Sequence, residues 1–148
     1  MNKELTYATA ESITGGRLQS FFTELNGSSS YFMGGICAYT TEVKVSILNV
    51  DADVAHRNNS VCKKTVEHMA KGCYSLFGAD ISISTTGYVQ GFVFEGKKHL
   101  PEMHIAIYDA RFDETHHIHH FLPEENNRAE NLIIARDLAL EFLKDKVA

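Results

Sequence analysis

Residues 5–25, LTYATAESITGGRLQSFFTEL, constrain the fold of this chain more than any other stretch. An apolar-leaning run at 5–10 reads as a strand. Two glycines then permit a sharp turn, and Leu18, Phe21, Phe22 and Leu25 recur at helical spacing over 16–26. The same order returns downstream. Residues 33–39 (MGGICAY) read as a second strand and 41–48 as a short helix. Ser60 is the expected N-cap of a longer helix reaching Phe77, with Cys62, Val66, Met69, Cys73 and Phe77 on its apolar face. Residues 80–86 (DISISTT) alternate as a third strand with Ile81 and Ile83 on one side. Residues 103–109 and 115–121 form two more strands, close enough to make an antiparallel hairpin, and a last helix spans 126–144. Strands that first alternate with helices and then end in a hairpin predict a three-layer α/β/α domain. Its sheet is expected to be mixed and mostly parallel, with about five strands and helices on both faces.

The 148 residues are 44% hydrophobic, enough for a single domain over 1–148 with a full-sized core. A net charge of -5, with no basic cluster beyond Gly96–Lys98, argues against nucleic acid as a partner. Three widely spaced cysteines, Cys37, Cys62 and Cys73, give neither a disulfide framework nor zinc-finger spacing and suit a reducing cytoplasm. The N-terminal residues lack a signal-peptide apolar region, and no apolar run reaches membrane-spanning length, so no membrane partner is expected.

In a sheet of this kind, sites gather at strand ends and in the loops beyond them. Ser12 lies where the first strand stops, beside Glu11, Thr14, Gly15 and Gly16, facing a helix start with its free N–H groups. A serine hydroxyl is too weakly acidic to attack unaided and needs a base. Lys44 offers one, since a lysine in a partly dry pocket loses proton affinity. Tyr39 ends the second strand five residues earlier, so a Ser12–Tyr39–Lys44 cluster is geometrically reasonable; the plain alternative is a solvated surface lysine.

Other motifs admit a structural and a chemical reading. NGSSSYF at 26–32 is a helix end followed by a polar loop, or an anion site built on serine hydroxyls. Thr86 and Gly87 end the third strand, where glycine would let a ligand approach the backbone. In THHIHH (115–120), His117 and His119 share one strand face and His116 and His120 the other. Two such histidines could share zinc or nickel. With only Asp113 and Glu114 nearby to complete the shell, a half-exposed strand is the favoured reading and no metal is expected.

Taken together, TAESITGG, GSSSYFMGGICAY, Lys44, MAKG, GAD and TTG occur in the order and spacing of one family. Over residues 5–87 the chain resembles the C-terminal domain of CinA, the competence-damage protein, a family that includes stand-alone nicotinamide mononucleotide amidases. The likeness resumes at Arg128, Ala135 and the pair at 139–140, after Phe121. The resemblance implies a three-layer fold and an amide hydrolase that converts nicotinamide mononucleotide to nicotinate mononucleotide and ammonia, with no cofactor. Ser12 corresponds to the motif serine, and Tyr39 and Lys44 to the motif tyrosine and lysine. N–H groups near Thr14, Gly15 and Gly16 are the expected oxyanion donors, and Ser28, Ser29 and Arg128 the expected phosphate contacts, with Glu11, Thr86 and Gly87 completing the substrate site. The implied partners are a pyridine nucleotide and at least one further copy of the chain.

The sequence departs from the family in three places. Ile13 stands where a cysteine is usual. Residues 88–101 (YVQGFVFEGKKHLP) replace a proline- and glycine-rich loop. The family's helix before the first strand is missing from the expected domain, which would leave apolar surface for another subunit to cover. The altered loop and missing helix keep a second reading open, a catalytically impaired module that binds a nucleotide or a protein.

Overall fold

The computed structural model describes residues 2–147. In chain order the elements are β1 (Tyr7–Glu11), α1 (Arg17–Glu24), β2 (Phe32–Cys37), α2 (Thr41–Leu48), α3 (Ala52–Arg57), α4 (Lys63–Phe77), β3 (Ile81–Tyr88), β4 (Phe92–Phe94), β5 (Lys97–His99), β6 (Glu102–Asp109), β7 (Glu114–Phe121) and α5 (Arg128–Lys146). The five-stranded sheet has the order β2-β1-β3-β6-β7, and β4 and β5 pair as a separate two-stranded ribbon.

The sheet is mixed, but the expectation of a mostly parallel one is corrected. β1 pairs parallel with β2 and β3, whereas β6 pairs antiparallel with β3 and β7 antiparallel with β6. The cause lies in the connections. Parallel neighbours need a crossover, and only the segments through α1 and through α2–α4 supply one. Between β3 and β6 stands the β4–β5 ribbon instead of a helix, so the chain reverses and β6 returns beside β3. The ribbon turns on Glu95 (φ 50°) and Gly96 (φ 75°), the paired positive angles that tight two-residue hairpins require.

Helices cover both faces. On one side α1 and α5 close over Tyr7, Leu18, Phe22, Ile81, Ile83, Met103, Ile105 and Ile107. On the other, α4 lies across β1, β3 and β6, packing Met69 and Cys73 against Ala8, Ala10 and Leu48, and Val66 and Ala70 against Ala106. The alternation of β3 explains the division. Its isoleucines face α5, while Ser84 and Thr86 face α4. There the Ser84 hydroxyl donates to the Val66 carbonyl at 2.6 Å and the Thr86 hydroxyl to the Ser60 carbonyl at 2.8 Å. Small hydroxylated side chains let the helix sit close, and the Ser84 and Thr86 hydroxyls each find a backbone acceptor.

Ser60 does not cap α4. Asn59 and Ser60 both adopt left-handed angles (φ 48° and 64°), whereas an N-cap residue is extended. Cys62 takes that position, its sulfur accepting from the Thr65 N–H, and the Ser60 hydroxyl pairs with that of Thr41 at 2.8 Å. Asn127 and Glu130 form a reciprocal capping box that opens α5 at Arg128.

Candidate active site

The strand order places a crevice at the C-terminal end of β1. From β1 the chain leaves through α1 to β2 on one side; from β2 it crosses back through α2–α4 to β3 on the other. Connections diverging from a central strand open a cleft beyond its end. Ser12 is the first residue past β1. Its N–H donates to the Thr85 carbonyl at 3.0 Å, which ties the corner to β3.

Glu11, fully buried, organises the turn. One carboxylate oxygen accepts from the Thr14 hydroxyl (2.6 Å) and from the N–H groups of Gly16 (3.1 Å) and Leu18 (2.9 Å). The other accepts from the Gln19 N–H at 2.9 Å. The carboxylate therefore satisfies the N–H groups that the start of α1 would leave without partners, where the helix dipole also favours negative charge. Gly15 and Gly16 make the bend at φ 57° and 97°. This relocates several expected substrate contacts. Glu11 is saturated by the protein itself, and Thr14 is buried between Glu11 and the Thr85 hydroxyl, 2.8 Å away. The Gly15 N–H donates to the Ser12 carbonyl and the Gly16 N–H to Glu11, so neither is free to hold an oxyanion. Among the described residues, the N–H groups of Ile13 and Thr14 have no acceptor within the chain.

Lys44 is brought to Ser12 by the first turn of α2, whose N-cap Thr40 accepts from the Val43 N–H. The side chain runs back toward the strand ends and is 2% exposed. Its Nζ lies 2.9 Å from Ser12 Oγ and 2.8 Å from the Tyr39 carbonyl oxygen. Burial pushes the Lys44 ammonium down from 10.5 to about 8, with Glu42 opposing the shift. The solvated-lysine alternative is thereby excluded for this structure. Tyr39 takes part differently from expectation. Its backbone carbonyl, and not its phenol, meets both Lys44 and the Ser12 hydroxyl (3.4 Å). The phenol is 60% exposed and receives a 3.4 Å hydrogen bond from the Arg128 guanidinium.

A cavity of about 700 Å³ opens over this pair, a size ordinary for small-molecule sites. Ser12, Tyr39, Lys44, Thr86, Gly87 and Arg128 all border it. Ser28 and Ser29 do not. They form a 3-10 turn before β2, at the end of the sheet opposite Ser12, because a parallel neighbour of β1 must begin where β1 begins. Gly87 is needed for packing: a Cβ there would sit 2.2 Å from the Glu102 carbonyl oxygen on β6. The wall also contains His56, Asn59, Tyr88 and Gln90, which sequence reasoning did not single out. Tyr88 and Gln90 fall in the 88–101 segment where the sequence departs from the family, and Asn59 in the turn-forming run RNNS at 57–60; His56 carried no signal.

The CinA C-terminal domain model matches residues 1–147. The chain belongs to the CinA C-terminal domain family. Protein MG115 of Mycoplasma genitalium is 33% identical over 149 residues, covering 98% of this chain and 92% of that protein. A CinA-like protein of Leptospira borgpetersenii is 42% identical over 87 residues, which are 59% of this chain and 21% of that protein. The matched segment thus spans about a fifth of that longer relative. Among solved structures, the competence/damage-inducible protein of Agrobacterium tumefaciens superposes with a TM-score of 0.85 at 28% identity, covering 95% of this chain and 84% of that one. The CinA superfamily protein of Escherichia coli superposes with a TM-score of 0.88 at 25% identity, covering 97% and 81%. The Leptospira relative is CinA-like and the Escherichia coli structure is of the CinA superfamily, in agreement with the family model. Among the described residues no helix is long and apolar enough to cross a membrane.

Proposed function

We propose that this CinA-family chain is an amide hydrolase acting on a pyridine nucleotide, with nicotinamide mononucleotide as the expected substrate. The observation that carries the reading is the 2.9 Å contact between a dehydrated lysine amine and a serine hydroxyl at the floor of an open cavity. With its proton affinity reduced to about 8, Lys44 is neutral in a useful fraction of molecules near neutral pH. The neutral amine donates to the Tyr39 carbonyl and keeps a lone pair for the Ser12 proton. Ser12 Oγ attacks the carboxamide carbon, and Lys44 takes the proton. The N–H groups of Ile13 and Thr14 are the available donors for the developing oxyanion. Lys44 returns the proton to the leaving nitrogen, which departs as ammonia. Water then cleaves the acyl-serine ester, with Lys44 as its base, to give the carboxylate product and restore Ser12. The guanidinium of Arg128, held at the rim by Tyr39, suits the phosphate. Ser28 and Ser29 lie too far from this cavity to contact the phosphate within one chain.

Purified protein incubated with nicotinamide mononucleotide is expected to release ammonia, and Ser12→Ala is expected to abolish the release. One observation favours the second reading, a binding module without turnover: the Tyr39 phenol stands away from Ser12. Nucleotide binding with no ammonia above the Ser12→Ala control would establish that reading instead. Self-association is proposed as well. Val93 and Phe94 on the β4–β5 ribbon are 70% and 62% exposed, and size-exclusion chromatography with light scattering should give at least a dimer. Three free thiols suit a reducing cytoplasm as the setting.

A further inference from the structure

Two histidines of THHIHH, His117 and His119, find partners across the hairpin. In the register of β6 and β7, His104 stands opposite His119, and Ala106 opposite His117. Glu102, two residues before His104, shares its face. The ligand-type atoms of Glu102, His104 and His119 consequently lie within 4.8 Å of one another. Glu102 Oε1 is 3.1 Å from His119 Nε2 and 3.6 Å from His104 Nε2. A tetrahedral zinc-class ion with bonds of about 2.0–2.1 Å sets its ligand atoms about 3.3 Å apart, so these separations already approximate a coordination edge.

A second observation points the same way. His104 Nδ1 lies 2.9 Å from His117 Nε2. If His104 donates through Nδ1 to His117, its Nε2 presents a lone pair to the cluster. Metal-bound histidines are commonly fixed by a hydrogen bond from the other ring nitrogen.

We propose that Glu102, His104 and His119 form a binding site for a divalent first-row transition ion of the zinc class, with His117 as a positioning residue. Two imidazoles and one carboxylate suit zinc, cobalt(II) or nickel better than the hard oxygen-seeking ions. Three protein ligands leave a coordination position for water or an anion. The site is separate from Ser12. Glu102 also borders a second cavity of about 610 Å³, which shares Tyr88 and Phe92 with the cavity over Ser12. A bound ion would cross-link edge strand β7 to β6.

The test uses full-length protein without a histidine tag, stripped by chelator and titrated calorimetrically with zinc chloride. One ion per chain with micromolar or tighter affinity is expected. His104→Ala and His119→Ala should each weaken binding about 100-fold, and His117→Ala about 10-fold. His120→Ala, on the opposite strand face, should leave it unchanged. Circular dichroism establishes that each variant is folded, and Glu102→Gln supplies a milder change if an alanine variant is not. Cobalt(II) should give the visible absorption of a tetrahedral site. Absence of micromolar zinc binding in the wild type, or binding that survives both His104→Ala and His119→Ala, overturns the proposal. In that case the cluster is two ordinary histidine–glutamate contacts.

Discussion

The two halves of the sheet manage polar groups in opposite ways. In the parallel half, the end of β1 is enclosed by α1, α2 and β3, and its charged groups are dry: Glu11 is fully buried and Lys44 is 2% exposed. In the antiparallel half, β7 is an edge strand whose histidines are partly wet. Within the dry half a further contrast matters. Glu11 is satisfied by four donors from its own corner, whereas Lys44 has only a serine hydroxyl and one carbonyl for company. The carboxylate is therefore structural. The amine is left short of compensation, which lowers its proton affinity and makes it useful as a base.

The contrast is broken most directly at Ser12. Ser12→Ala should reduce ammonia release about 10³-fold or more while leaving the melting temperature within a few degrees. Glu11→Ala is expected to act on stability instead, because it strands the N–H groups of Gly16, Leu18 and Gln19 at the start of α1. A loss of about 3–5 kcal/mol in denaturant unfolding is predicted.

Lys44→Met should do the reverse, abolishing activity while stabilising the protein at pH 7. The sign follows from linkage. Between pH about 8 and 10.5 the folded state binds fewer protons at Lys44 than the unfolded state does, so wild-type stability rises with pH across that window. Below about pH 8 the full cost of the buried ammonium is present. At about 1.4 kcal/mol per unit this approaches about 3 kcal/mol, offset in part by the two hydrogen bonds lost. A net gain of about 1–2 kcal/mol is expected, disappearing above pH 10.5. The smallest effect is expected at the rim. Arg128→Ala should raise KM about 10-fold with kcat nearly unchanged, as the proposed phosphate contact would lie far from the reacting bond.

The sequence carried much of this arrangement, and its failures have identifiable causes. The β–α order, the faces of β3 and the extent of α2 follow from periodicity and agree with the structure. The balance of parallel and antiparallel pairs was missed because FVF-EG-KKH was read as loop, although Glu95-Gly96 between two short runs has the form of a hairpin. Lys44 was legible as a neighbour of Ser12 because one helical turn fixes its reach. The role of Tyr39 was not, because sequence names a side chain and here the backbone carbonyl makes the contact. Ser28 and Ser29 suggested an anion site by composition, but composition does not tell which end of the sheet a turn occupies. The pairing of His119 with Glu102 and His104 depended on hairpin register, which residue spacing within one strand does not reveal.

The central claim is that the Lys44 amine is held dry against Ser12. The direct measurement is an NMR titration of the Lys44 side chain in protein carrying isotopically labelled lysine, assigned by comparison with Lys44→Met. A midpoint near pH 8 is predicted. A midpoint near 10.5, the ordinary lysine value, would mean that the amine is solvated and would contradict the account.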